Sequence, residues 1–249
     1  REWHRRALVA GAEQGGAAAA GAELTLSAGA TDEAVTLLEH RTGPAVARAW
    51  LKVGRRLIRQ GDLERAADAF LAAARSDPDP SNFVLIGEHL AGMPNASDQT
   101  GMRPLRVAII GSSTLDNVRA YLEVDLRLRG YMPAIYLAPF GQYASEILDP
   151  RSQLNAFRPD VVVVAVHGRS VMPHLYDGRR GLAPQEALEE GARVGDSFGS
   201  LLVQLADTTG ALVLAHTFGV PRFTAHGVLD LRDLAGQTRI FSAVNMCVA

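Results

Sequence analysis

The chain has 249 residues, 47% of them hydrophobic, enough to build one large core or two unequal ones. A formal net charge of -2 and a pI near 6.4, with no arginine stretch interleaved with aromatics, argue against a nucleic-acid partner. Cys247 is the single cysteine, which excludes an internal disulfide framework and a cysteine-rich metal site and points to a reducing, cytoplasmic setting.

The opening REWHRRALVAGAEQGGAAAA joins basic to small residues, but Glu13, Gln14 and two glycines interrupt any signal-peptide core. The longest apolar runs, 161–166 and 211–215, are too short to span a bilayer, so no membrane partner is expected. Arg at position 1 leaves room for an upstream segment.

From Thr31 to about Gly92 apolar residues recur at three and four and alanine is abundant, which predicts a helical module and, with the preceding residues, a helical domain over 1–92. Within it, residues 47–80 resemble a tetratricopeptide repeat: Trp50, Gly54, Gly61, Ala66, Phe70, Ala73 and Pro78 fall at that motif's offsets. Small Gly54 and Ala66 let two helices approach, Gly61-Asp62 supplies the turn, Trp50 and Phe70 fill the seam, and Pro78 closes the second helix. A plain αα-hairpin wants the same residues; the repeat reading adds a second protein as its partner. Residues 93–104, rich in Gly, Pro, Asn and Ser, read as a linker.

Beyond Pro104 strand and helix alternate. Strands are expected at 106–110, 134–138, 161–166 and 211–216, with a helix placing Leu115, Val118, Leu122 and Leu126 on one face before Gly130, and another around Phe198, Leu201, Leu202 and Leu205. Continuous apolar strands imply a mostly parallel sheet covered on both faces, an open α/β domain over residues 105–249 of flavodoxin-like or SGNH-like type. Ligands of such sheets bind beyond the carboxyl ends of the strands. There the sequence reads Gly111-Ser112-Ser113, Phe140-Gly141-Gln142-Tyr143, His167-Gly168-Arg169-Ser170 and His216-Thr217-Phe218. Four strand ends carrying polar or glycine groups are expected to converge on one rim, although strand-to-helix loops are polar in any α/β protein.

Ser113 has two readings. The spacing Ser113-x-x-Asp116 is that of a capping box. The same turn would also aim a nucleophilic hydroxyl at the positive end of a helix, which stabilises an oxyanion. His167 and His216 follow buried strands and are the candidate bases, although a structural histidine is the commoner fate. His174 and His226 read as surface residues, His4, His40 and His89 lie in the helical half, and no histidine spacing matches a zinc motif.

Residues 105–166 resemble the N-terminal part of the FkbH-like family. The marks are G-S-S-T at a strand end, then FGQY, EILDP and FRPDVVVVA, with a weaker extension through HTFGVPRF at 216–223. The resemblance implies an SGNH-hydrolase-like α/β domain followed by a HAD-type phosphatase domain. It also implies assembly of a glyceryl-type acyl unit on an acyl carrier protein for polyketide biosynthesis. The chemistry then belongs to the HAD domain, with an Asp-x-Asp pair, Mg²⁺ and an acyl-bearing cysteine.

This chain departs from that pattern. The nearest Asp-x-Asp imitation, VLDLRDL at 228–234, has Arg232 in the second acidic position, so no metal is expected here and Mg²⁺ would belong to a HAD domain if one follows. Cys247 matches no family cysteine and reads as a buried thiol. Against the SGNH pattern, Ser113 falls at the nucleophile, Ser112 replaces its preceding Asp, and Gly141 falls at an oxyanion donor. The third block's Asn and the closing Asp-x-x-His are missing.

Three functions stay open: part of an FkbH-like acyltransferase, a separate SGNH-type esterase using Ser113, Gly141 and His216 or His167, or an interaction module without catalysis. Ser112, Gln142, Tyr143, Arg169 and Thr217 are the expected substrate or carrier contacts. Arg169 is placed to meet a phosphopantetheine phosphate, or else to pair with Asp177.

Overall fold

The computed structural model describes residues 2–91, 93, 101–178 and 181–248, and in the first helix the side chains from Gly15 onward. Its internal packing divides the chain into two compact units, residues 1–104 with 116–133 and residues 105–115 with 134–249. Most of the expected linker, residues 94–100, lies outside the described residues, and the first strand already begins at Arg103.

Unit 1 is helical: α1 (Glu2–Ser27), α2 (Thr31–Leu38), α3 (Pro44–Gln60), α4 (Leu63–Ser76), α5 (Pro80–Ala91) and α6 (Asp116–Leu128). Helix α3 starts with Pro44 in its first turn, where a missing N–H costs nothing, and stops at Gly61, whose φ of 81° is left-handed. Asp62 then caps α4 by accepting from the Arg65 N–H at 3.2 Å. The hairpin buries Phe70 completely and leaves Trp50 7% exposed, and burial of one such ring contributes about 2–3 kcal/mol. Phe70 lies against the Gly54 backbone and stacks on His89 at 4.7 Å between ring centroids. Helix α4 ends at Ser76, two residues before Pro78.

Helix α6 corrects two expectations. It was placed with the α/β half, yet it groups with the helices of unit 1, its Val124 and Leu128 joining a core that includes Ile86 and Leu90 of α5. Its buried face holds Ala120, Glu123, Val124 and Arg127, whereas Val118 is 39% exposed. The reason is pairing: Arg127 Nε donates to Glu123 Oε1 at 2.7 Å and its guanidinium also reaches the Leu90 carbonyl, so two charges can be buried where apolarity alone would not put them.

Unit 2 is a four-stranded all-parallel sheet in the order β2-β1-β3-β4, with β1 (Arg103–Gly111), β2 (Tyr131–Leu137), β3 (Val161–Ala165) and β4 (Leu212–Ala215). Register runs Ile109 to Val163 and Val163 to Leu214. The α/β class expected from the alternating pattern is the one found. The core gathers Ala108, Ile110, Val162, Val164, Phe198, Phe218 and Phe241. At the strand starts Asp160 accepts from the Arg106 N–H at 2.8 Å, and Asp160 N–H returns a bond to the Arg106 carbonyl at 2.8 Å, locking β1 to β3. The sheet is not covered evenly: on edge strand β4, Leu212 and Leu214 are exposed.

Connections are α7 (Tyr143–Leu148), α8 (Gln153–Phe157), α9 (Gly168–Val171), α10 (Pro173–Tyr176) and α11 (Pro184–Thr209), and α12 (Gln237–Val248) follows β4. Gly191, Gly195 and Gly199 recur every four residues on α11, and that bare stripe admits α12: added Cβ atoms there would sit about 3 Å from Ile240, Cys247 Sγ and the Cys247 carbonyl. Cys247 is exposed, not buried as expected, because the partner surface it meets carries no side chains.

Candidate functional site

The strand order reverses direction between β1 and β3, the place where open α/β sheets hold ligands. Gly111 ends β1 so close to β3 that a Cβ would lie 2.3 Å from the Ala165 carbonyl oxygen, which only glycine permits. The next residue ties the two strand ends together, since Ser112 Oγ accepts from the His167 N–H at 2.8 Å.

Ser113 is exposed. The capping-box reading does not fit, because α6 begins at Asp116 and the cap position therefore falls after Ser113. Among the described residues the Ser113 hydroxyl has no hydrogen-bond partner. Gly141, at φ 72°, spends its N–H on the Gly111 carbonyl at 3.1 Å, so this donor is not aimed at a developing oxyanion.

The two histidines differ in tautomer. His167 Nδ1 accepts from the Arg169 N–H at 3.1 Å and caps the short α9, so when neutral its proton sits on Nε2 and that nitrogen is no base. His216 Nδ1 faces the Thr217 carbonyl at 2.9 Å. A carbonyl only accepts, so Nδ1 carries the proton and Nε2 keeps its lone pair. Of the pair, His216 is the one whose Nε2 is left as the acceptor. It lies at the end of β4, two strands from β1, a separation of about 10 Å at the usual strand spacing.

Arg169 pairs with Asp177 at 3.1 Å and its guanidinium lies 5.0 Å over the Tyr176 ring. This is the structural alternative weighed from the sequence, and it commits one guanidinium nitrogen to a carboxylate. Thr217 is exposed, and the segment around it is clamped by Asn245, which accepts from Phe218 N–H at 2.7 Å and donates to its carbonyl at 2.9 Å. Gln142 precedes α7, and its carbonyl accepts from the Ser145 hydroxyl at 2.9 Å.

Beside the rim lies a cavity of about 570 Å³ lined by Tyr143, Ser170, Val171, Glu190, Arg193, Val194, Ser197, Phe198 and Leu201. Tyr143 was anticipated. The residues from α11 were not, because they come from the middle of a long helix and only its apolar face left a trace in the sequence. Burial pushes the Tyr143 phenol above its usual range, keeping it a neutral donor. Arg193 touches Glu190 at 3.5 Å at the mouth. The lining is aromatic and aliphatic, with two serine hydroxyls and the paired Arg193 and Glu190, which suits an apolar chain with a polar head.

The motif residues behind the family resemblance hold the scaffold. Glu146 is buried and accepts from Leu154 N–H at 2.9 Å. Burial, then the charge and hydrogen bond of Glu146, push the Tyr136 phenol up to about 12. Asp230, the first acid of the Asp-x-Asp imitation, is also spent: it accepts from Gln237 N–H at 2.8 Å and Thr238 N–H at 3.0 Å, capping α12. Among the described residues no cluster of three or more His, Cys, Asp or Glu is placed to hold a metal, and Mg²⁺ does not fit at Asp230. Among the same residues no helix is long and apolar enough to cross a membrane. Unit 1 has its own cavity of about 800 Å³, lined by Leu38, Arg41, Trp50, Arg65, Asp68 and Arg75 among others.

Comparison of the sequence with protein-family models and with curated proteins finds no match. Among solved structures the chain is similar to the N-terminal part of the protein BF1531 from Bacteroides fragilis, described as containing a phosphatase domain complexed with Mg. The TM-score is 0.52 at 15% identity, and the match covers 64% of this chain and 39% of that one. What the two share is a fold. At this identity the likeness extends to the α/β architecture and no further.

Proposed function

We propose that the chain supplies the helical and α/β portions of an FkbH-like cytoplasmic protein that forms a glyceryl-type acyl unit and transfers it to an acyl carrier protein. In this reading the strand-end rim and its adjoining cavity bind and orient the acyl-bearing arm. Bond breaking belongs to a phosphatase-type domain of such a protein, and the tetratricopeptide-like hairpin α3–α4 contacts a further protein. The observation that carries a binding role is the engagement of two of the rim's catalytic candidates: the Gly141 N–H and the His167 ring both serve local structure. The likeness to part of a chain that also contains a phosphatase domain is in keeping with this.

A second reading, an SGNH-type esterase, is favoured by one specific pair of facts: Ser113 is exposed without a cap role, and the His216 Nδ1 contact with the Thr217 carbonyl leaves Nε2 as the acceptor. Intact-mass labelling with a fluorophosphonate probe separates the two. The binding reading expects no adduct above that of Ser113→Ala. It further expects a pantetheine thioester to bind the chain and to be lost when Ser197→Trp fills the cavity. An adduct that requires both Ser113 and His216 refutes it in favour of the esterase, and thioester binding unchanged in Ser197→Trp refutes the cavity assignment.

A further inference from the structure

The segment 219–236, between β4 and α12, is built inside out. Its inward positions are polar or small and are firmly held. Asp230 is 2% exposed and caps α12. The Ala225 N–H donates at 2.7 Å to Gln237, the first residue of α12, which itself donates to the Leu175 and Tyr176 carbonyls at 2.9 and 2.8 Å. Its outward positions are large and apolar: Phe223 is 86% exposed, Val228 93%, Leu234 71%, Leu231 64% and Leu229 59%. Five such side chains within twelve residues on an anchored loop form the kind of patch that marks an interaction surface.

The charge on this segment is one-sided. Its two acids are consumed within it, Asp230 by the cap and Asp233 by His226 at 3.0 Å. Arg222 and Arg232 are exposed and form no ion pair among the described residues, and Arg239 stands exposed beside them with one contact, to the Leu231 carbonyl. Arg222 also lies 5.6 Å over the Phe223 ring, which holds a cation at the edge of the apolar surface. Phenylalanine and arginine are enriched at protein interfaces and lysine is depleted.

We infer that this surface docks an acidic amphipathic helix of a partner protein, whose apolar stripe covers Phe223, Val228 and Leu231 and whose carboxylates meet Arg222 and Arg232. A lipid surface suits it less. The segment has no Trp, Tyr or Lys, the usual interfacial anchors, and its regular structure is a three-residue 3-10 helix (Gly227–Leu229) rather than an amphipathic helix able to lie in a headgroup layer. The inference does not rest on the acyl-transfer reading, since it uses none of the rim or cavity residues.

The test is fluorescence anisotropy with a labelled helical peptide of about 18 residues, long enough to fold in place, with Leu at i, i+3, i+4 and i+7 and Glu elsewhere. Its Lys-for-Glu counterpart and vesicles of phosphatidylcholine with phosphatidylserine serve as comparators. The acidic peptide is expected to bind, and to weaken about tenfold or more in Phe223→Ser/Val228→Ser, in Arg222→Glu/Arg232→Glu and on raising salt. These positions are exposed, so both variants should keep their helical circular dichroism. Equal binding of the Lys peptide, affinity unchanged in either variant, or binding to vesicles without binding to peptide overturns the inference.

Discussion

Helices α5 and α6 cross where Gly87 meets Ala120, and the crossing can be tested by one methyl group. In Gly87→Ala the new Cβ would stand 2.4 Å from the Ala120 carbonyl oxygen and 2.7 Å from its Cα. Ordinary contact needs about 3.5 Å, so the helices must part by about 1 Å. The obstacle is backbone, which cannot rotate aside as a side chain would. Alanine gains about 1 kcal/mol over glycine inside a helix, whereas overpacking a core costs about 1–3 kcal/mol. With Ile86, Leu90 and Val124 all fully buried at the same seam, the upper end of that cost applies and the net loss is about 2 kcal/mol. For a unit of this size that is a fall in melting temperature of about 6–10 °C. Gly16→Ala is the control: nothing lies within 4 Å of its added Cβ, so it should stabilise by up to about 1 kcal/mol. Thermal melts followed by circular dichroism compare the two. A Gly87→Ala protein as stable as the parent would mean that the helices do not approach as described.

The buried pair on α6 gives a second expectation. Arg127→Met strands Glu123 without its partner and should cost about 3–5 kcal/mol in urea unfolding, while Glu123→Leu with Arg127→Met together should recover most of that loss. A double variant as unstable as the single would show that packing, not charge, holds the site. Asp230 gives a pH dependence. Burial pushes its carboxyl up, but hydrogen bonds from Thr238 and Gln237 and the charge of His226 outweigh burial and hold it below the usual range. Its stabilisation is therefore complete above the unfolded value of about 3.9 and is lost as pH falls through the lower folded value. Asp230→Asn should cost about 1–2 kcal/mol at neutral pH, and the gap to the parent should close in acid unfolding below about pH 4. A gap that stays constant to pH 2 would remove the carboxylate from the account.

The parts legible in the sequence were those in which a side-chain pattern decides the structure. Short runs dominated by apolar residues marked four strands, and the Gly61-Asp62 turn between Trp50 and Phe70 marked the hairpin. Helix α1 lies inside the helical domain expected over residues 1–92 but had no readable bounds, because its Ala/Gly run carries no apolar period, and α12 escaped because it packs on glycines, which write no pattern of their own. The buried face of α6 was misjudged since Glu123 and Arg127 look exposed until they are seen to neutralise each other. At the rim the sequence supplied the residue types and not their commitments. Whether Gly141 aims its N–H outward, or which nitrogen of His167 and His216 carries a proton, is settled by carbonyls and amides whose positions no spacing encodes.

The Arg106–Asp160 lock places part of the work of holding the sheet at the strand starts, away from the residues that line its carboxyl rim. Substitutions at sites this separate usually add without interacting. One edge can therefore lose a nucleophile, gain a docking loop or change its ligand while the other keeps the architecture unchanged. The Arg106–Asp160 lock thus speaks for the architecture alone, and the trade practised on that platform has to be read from the opposite side.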